Sequence, residues 1–175
     1  MSILKETEIM ERLSKVDELL KKYYLNKNIY ESLNILEDIL SNLNNSVMNF
    51  KKLNIVLKKI IEIFEKVDNR TRECILFLLK KYSNLFNNSI YDSISKSNDD
   101  NIFGMRSWII KRLNNNNDHI FKRQCLNLLQ ILPFLIDSKI KDIILFFLTD
   151  KTLIEEEKKE IYSILNLKKE DISQV

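Results

Sequence analysis

His119, Cys74 and Cys125 are the residues whose types suit nucleophilic or metal chemistry, and they are few: one His and two Cys in 175 residues. His119 follows Asp118 at the start of a predicted helix, where an imidazole could serve as base to a cysteine nucleophile. Cys125 lies six residues further on. At 3.6 residues per turn that is about 240° round the helix, so the two do not face each other. A solvent-facing turn histidine is the plainer reading. One His also excludes an HExxH zinc site, and a structural metal needs three or four ligands. A single Gly excludes glycine-rich phosphate cradles, which need several residues without a Cβ. Glu155, Glu156 and Glu157 point in different directions on a helix and suit its positive N-terminus. A carboxylate or lysine base remains conceivable in general terms, but none is singled out. No catalytic residue, metal, cofactor or small-molecule substrate is expected.

The rest of the composition describes the kind of object this is. The chain carries 22 Lys, 20 Asn, 25 Ile and 26 Leu, and no Ala, a bias characteristic of an AT-rich genome. Asn114 to Asn117 then reads as loop drift. Net charge is +3 from 28 basic and 25 acidic residues, well short of a polybasic arm. Both cysteines sit in apolar helical runs without CxxC spacing, so buried free thiols in a reducing compartment are expected. The start, MSILKETEIMERL, places acidic residues where a signal peptide needs an apolar stretch. The longest apolar run, Ile140 to Leu148, is broken by Lys141 and Asp142 and is far below the about 20 residues of a membrane span. A soluble chain of the cytoplasm or nucleus is expected, with no membrane partner.

Helical periodicity runs through almost the whole length. Ile9, Leu13, Val16, Leu20 and Tyr23 step by four and three residues, stacking on one face over about 3–24. Ile29, Leu33, Leu36, Leu40 and Leu43 repeat this in a second helix, with Asn28 and Glu31 placed to cap its start. Phe50, Leu53, Leu57, Ile60 and Phe64 mark a third, ending near Val67. A fourth spans about Arg70 to Phe86. Its centre, Cys74 to Leu79, is apolar all round and should be covered on more than one side. Residues 87–101 are polar, with at most a short helix around Ile90, Tyr91 and Ile94. Further helices are predicted at 102–114, 118–136, 138–149 and 152–168. Pro133 should bend or loosen the end of its helix, and Thr152 with Glu155 forms a capping box for the last one. Residues 169–175 should fray. No segment alternates with period two, so no sheet is expected.

An internal correspondence organises these helices. Arg72-Glu73-Cys74-Ile75 matches Arg123-Gln124-Cys125-Leu126, 51 residues later. Each follows a polar turn with an acidic residue, Asp68 or Asp118, and an amphipathic helix before it. Units of this kind bury their faces against neighbours in a quasi-one-dimensional stack. The pattern resembles HEAT repeats, whose second helix often opens with Asp, then Arg four residues on, then alanines. Asp68 and Arg72 fit that spacing; Asp118 is followed by Lys122 and Arg123, one residue out of step, and Cys74 and Cys125 occupy one small-residue place each. The resemblance covers roughly 46–168 and implies that Asp68, Arg72, Asp118 and Arg123 link successive repeats. A fainter likeness to the N-terminal regions of Integrator-complex HEAT subunits and adaptin-type large chains rests on WIIKRLNNNNDHIFKRQCLNLL and on helix spacing.

The fold expected is therefore all-α: eight or nine helices in antiparallel pairs, stacked as a short HEAT-like α-solenoid in one domain over 1–168. Trp108, beside Met105 and Ile109, suits a core better than a partner anchor. Tyr23, Tyr24 and Tyr30 are a contact patch or the cover of the stack's end. The basic residues are the candidate contacts: Lys51, Lys52, Lys58 and Lys59 on the third helix, Arg70, Arg72, Lys80 and Lys81 on the fourth, and Lys111, Arg112, Lys122 and Arg123 around the Asn-rich turn. Aligned in a stripe, they would suit a phosphate backbone or an acidic peptide; solvated on separate faces, with Glu62, Glu65 and Glu73 among them, they would suit neither. The function expected is a non-enzymatic scaffold or adaptor docking other proteins of a multi-subunit assembly. The alternative is nucleic-acid binding, through the Lys/Arg stripe, within an RNA-processing complex.

Overall fold

A computed structural model describes residues 3–21, 26–45, 50–86, 100–115, 118–149, 151 and 153–165. It is all-α, with eight α-helices and two short 3-10 turns among the described residues. The chain divides into two compact units, Met1–Leu85 and Phe86–Val175.

The first unit holds α1 (Glu6–Leu20), α2 (Asn26–Asn44), α3 (Phe50–Lys66), α4 (Asn69–Lys81) and a 3-10 turn at Ser83–Leu85. The heptad-like spacing of Ile9, Leu13 and Val16 buries one stripe of α1. α3 buries a wider face, including Leu53, Val56, Leu57, Ile60, Ile61 and Phe64, because it packs against both α1 and α4. α2 packs against α1 and α4 in turn, so the four helices close a ring: hairpin on hairpin, first helix against third and second against fourth. Before the first turn of α1, the Leu4 amide donates to the buried Asn42 carboxamide of α2 at 3.1 Å, giving a partner to a group that burial would otherwise penalise.

The second unit holds α5 (Asp100–Asn115), α6 (His119–Ile131), a 3-10 turn at Pro133–Leu135, α7 (Ser138–Phe147) and α8 (Glu155–Leu165). Its packing follows the same scheme: α5 against α6 and α7, α6 against α8, and α7 against α8. Arg106 on α5 donates from Nε to the Leu135 carbonyl at 3.0 Å and from Nη2 to the Phe134 carbonyl at 2.9 Å. That fork fastens the turn made by Pro133. Trp108 is half-buried, its ring edge-on to Phe121 with centroids 6.1 Å apart.

Several local expectations are corrected. α2 begins at Asn26, so Asn28 and Glu31 lie inside it; the Asn28 amide donates instead to the Leu19 carbonyl of α1 at 3.3 Å. Pro133 does not bend a helix but ends one: α6 stops at Ile131, and Leu132 has φ −114°, ψ 64°, outside the α region that a following proline disfavours. α4 stops at Lys81 and is not covered all round. Phe77 is 70% exposed and Cys74 is exposed, while Cys125 is buried. Tyr23, Tyr24, Ile90, Tyr91, Ile94, Thr152 and residues 169–175 lie outside the described residues.

The burial pattern also resets the internal correspondence. Asp68 caps α4, its carboxylate accepting from the Thr71 amide at 2.8 Å; Asp118 caps α6, accepting from Ile120 at 2.9 Å and Phe121 at 3.3 Å. These caps are 50 residues apart, and at that offset Thr71, Ile75, Leu76, Leu78 and Leu79 align with Phe121, Cys125, Leu126, Leu128 and Leu129, all buried. Cys125 thus corresponds to Ile75, and Arg72 to Lys122 rather than to Arg123.

Candidate functional site

The basic residues sort by what they touch. In the first unit Lys51 pairs with Glu6 at 3.5 Å. Lys59 holds Asp17 of α1 at 2.7 Å and Glu62 at 3.3 Å, and the bond to Asp17 raises its pKa above the ordinary 10.5. Lys81 bonds Glu37 of α2, whose carboxyl also accepts from the Tyr82 hydroxyl; the Lys81 bond holds that carboxyl below its usual value. These cations stitch α3 to α1 and α4 to α2. Lys58, Lys80 and Arg70 are exposed, and Lys52 is half-buried.

Arg72 closes its own hairpin. Its guanidinium donates to the Phe64 carbonyl at 2.6 Å, the Glu65 carbonyl at 3.2 Å and the Asn69 side chain at 3.0 Å. It thereby caps the C-terminal end of α3, where a cation meets the negative end of the helix dipole. Arg123 instead joins successive hairpins, reaching Glu160 of α8 at 3.4 Å. The Asp68 carboxyl is held below its usual range by its bonds to the Thr71 hydroxyl and amide.

The second unit carries a hollow of about 400 Å³ between α6 and α8. Its floor is apolar: Leu126 and Ile161 are buried, and Phe147 and Leu153 are half-buried. Ile120 stands at its mouth, 53% exposed. Lys122 and Arg123 line it from α6, with His119 at the helix start; Glu157 and Glu160 line it from α8. Lys122 lies over the Phe147 ring at 5.6 Å, and both residues also line a neighbouring hollow of about 370 Å³ between α5, α6 and α7. Phe146, 72% exposed, belongs to that second hollow. Lys111 is exposed and Arg112 is half-buried on α5. A smaller hollow, about 220 Å³, lies in the first unit between α2 and α4 with Cys74 and Tyr30 on its wall.

Of the sequence-selected contacts, this geometry brings together Lys122 and Arg123. The residues missed were apolar. The signal was there in α7, where Ile143, Leu145, Phe146 and Phe147 accompany Ile140 and Ile144, more apolar positions than one buried face holds. His119 is exposed beside the α6 hollow, as expected for a turn histidine. Among the described residues no group of three His, Cys, Asp or Glu side chains is placed to hold a metal ion, and no helix is long and apolar enough to cross a membrane. Compared with known proteins, the chain matches no family model, no curated protein and no solved structure.

Proposed function

We propose that this chain is a non-enzymatic, HEAT-like helical module that docks another protein of a larger intracellular assembly, using the hollow between α6 and α8. The observation that carries this is the apolar floor open to solvent beside Ile120, 53% exposed; Phe146, 72% exposed, lines the adjoining hollow that shares Lys122 and Phe147 with it. Large apolar groups grouped at a rimmed hollow are the usual mark of a binding surface, whereas scattered ones are not. The basic stripe supports nucleic-acid binding less well, because Lys51, Lys59 and Lys81 are each engaged by a carboxylate. A phosphate backbone needs cations whose counterions it can displace.

The test is recovery of the tagged protein from its native cell, with and without nuclease, beside the variant I120E/F146E. Both side chains are exposed, so the variant should stay folded, within about 0.5 kcal/mol of the parent. A stoichiometric protein partner that survives nuclease and is lost from I120E/F146E is expected. Partners lost on nuclease treatment and indifferent to I120E/F146E would replace this function with nucleic-acid binding.

A further inference from the structure

The walls of the α6–α8 hollow carry opposite charges. Lys122 and Arg123 are contributed by α6, Glu157 and Glu160 by α8. Lys122 and Arg123 are adjacent on α6, so they point about 100° apart, while Glu157 and Glu160 lie three residues apart on α8, about one helical turn. Arg123 gives one contact to Glu160 at 3.4 Å and is 49% exposed. Its fork holds further N–H donors for a carboxylate arriving from outside.

We propose that the occupant is an amphipathic α-helix of a partner protein, bearing carboxylates along one flank of its apolar stripe and lysines or arginines along the other, and that this hollow fixes the direction in which that helix lies. The inference rests on the protein-docking function above. An apolar stripe at three- and four-residue spacing fits an apolar floor between two helices. Charge complementarity then requires carboxylates beside Lys122 and Arg123 and cations beside Glu157 and Glu160. Turning such a helix end for end, with its apolar stripe still down, exchanges its flanks. Every attractive pair then becomes a repulsive one, so one direction wins. For two pairs on each wall, at the strength of exposed pairs, the preferred direction should outnumber the other roughly tenfold. The bias should shrink with added salt, since these charges are solvent-accessible. A helix with charges of one sign on both flanks would gain nothing from either direction.

The probes are two synthetic helical peptides of identical composition, each with a leucine stripe, a glutamate row on one flank and a lysine row on the other. The rows are exchanged between them, and each carries a nitroxide at its N-terminus. Titrated into the full isotope-labelled chain, one peptide should broaden amide resonances at the His119 end of α6 and the other at the Gln130 end. In K122Q/R123Q/E157Q/E160Q both peptides should still bind but broaden both ends alike. If both peptides bind the unaltered chain and broaden the same end, direction is not set by these walls and the inference is overturned while docking stands. If neither peptide perturbs the hollow, the occupant is not a helix of this kind and both the inference and the use of this hollow for docking fall.

Discussion

At the scale of single residues, position on the helix decides what chemistry a side chain has. Cys74 and Cys125 sit in similar-looking apolar runs, yet one is exposed and the other buried. C74S should leave stability within about 0.5 kcal/mol. C125S places a hydroxyl in an apolar site and should cost roughly 1–3 kcal/mol. Urea midpoints check both, and a thiol reagent should modify Cys74 quickly and Cys125 only on unfolding. Two capping aspartates are equivalent where the cysteines are not. D68A and D118A should each lower stability by about 1 kcal/mol, read the same way. The residue types behind these effects are plain in the sequence, but the one-residue shift of the repeat was not. Matching Cys74 to Cys125 gave an offset of 51, whereas the caps and the buried faces agree on 50. Identity of a small residue is weak information about register, while the repeated cap followed by buried positions at three- and four-residue spacing is strong.

At the scale of elements, arginine secures what propensity leaves open. The chain uses six Arg against 22 Lys, and two of the six fork onto pairs of backbone carbonyls: Arg72 onto Phe64 and Glu65, Arg106 onto Phe134 and Leu135. A lysine ammonium cannot reproduce two donors in a fixed plane. R72M and R106M should each cost roughly 1–3 kcal/mol, as charge-assisted bonds to carbonyls do. R72K and R106K should recover only part of it, as thermal unfolding would show. The existence of all these helices was legible from apolar spacing. Their ends were less so: α2 starts two residues before Asn28, and α6 stops before Pro133. Caps compete with tertiary bonds for the same side chains, and Asn28 was claimed by the Leu19 carbonyl.

At the scale of the whole molecule, stability should follow the carboxylates. Glu37 and Asp68 are held below their ordinary values of 4.5 and 3.8. A carboxyl with a lowered folded pKa adds stability that is complete above its unfolded value and is lost as pH falls through the folded one. Urea midpoints should therefore be level near neutral pH and fall below about pH 4. E37Q should lower the plateau and flatten the acid limb. Lys59, raised above 10.5, has the opposite sign. Its contribution holds below its unfolded value and is lost only as pH rises through the raised one. By itself the sequence determined the all-α class and the exposed place of His119 at a helix start, because each depends on local spacing and backbone chemistry; that Asp68 and Asp118 cap helices rather than link repeats came from the structure. The sequence left undecided which cations are engaged by carboxylates and where apolar side chains remain open to solvent. Only the tertiary structure decided those, because Lys59 meets Asp17 across 42 residues and the α6–α8 hollow exists only where two separate helices leave a space between them.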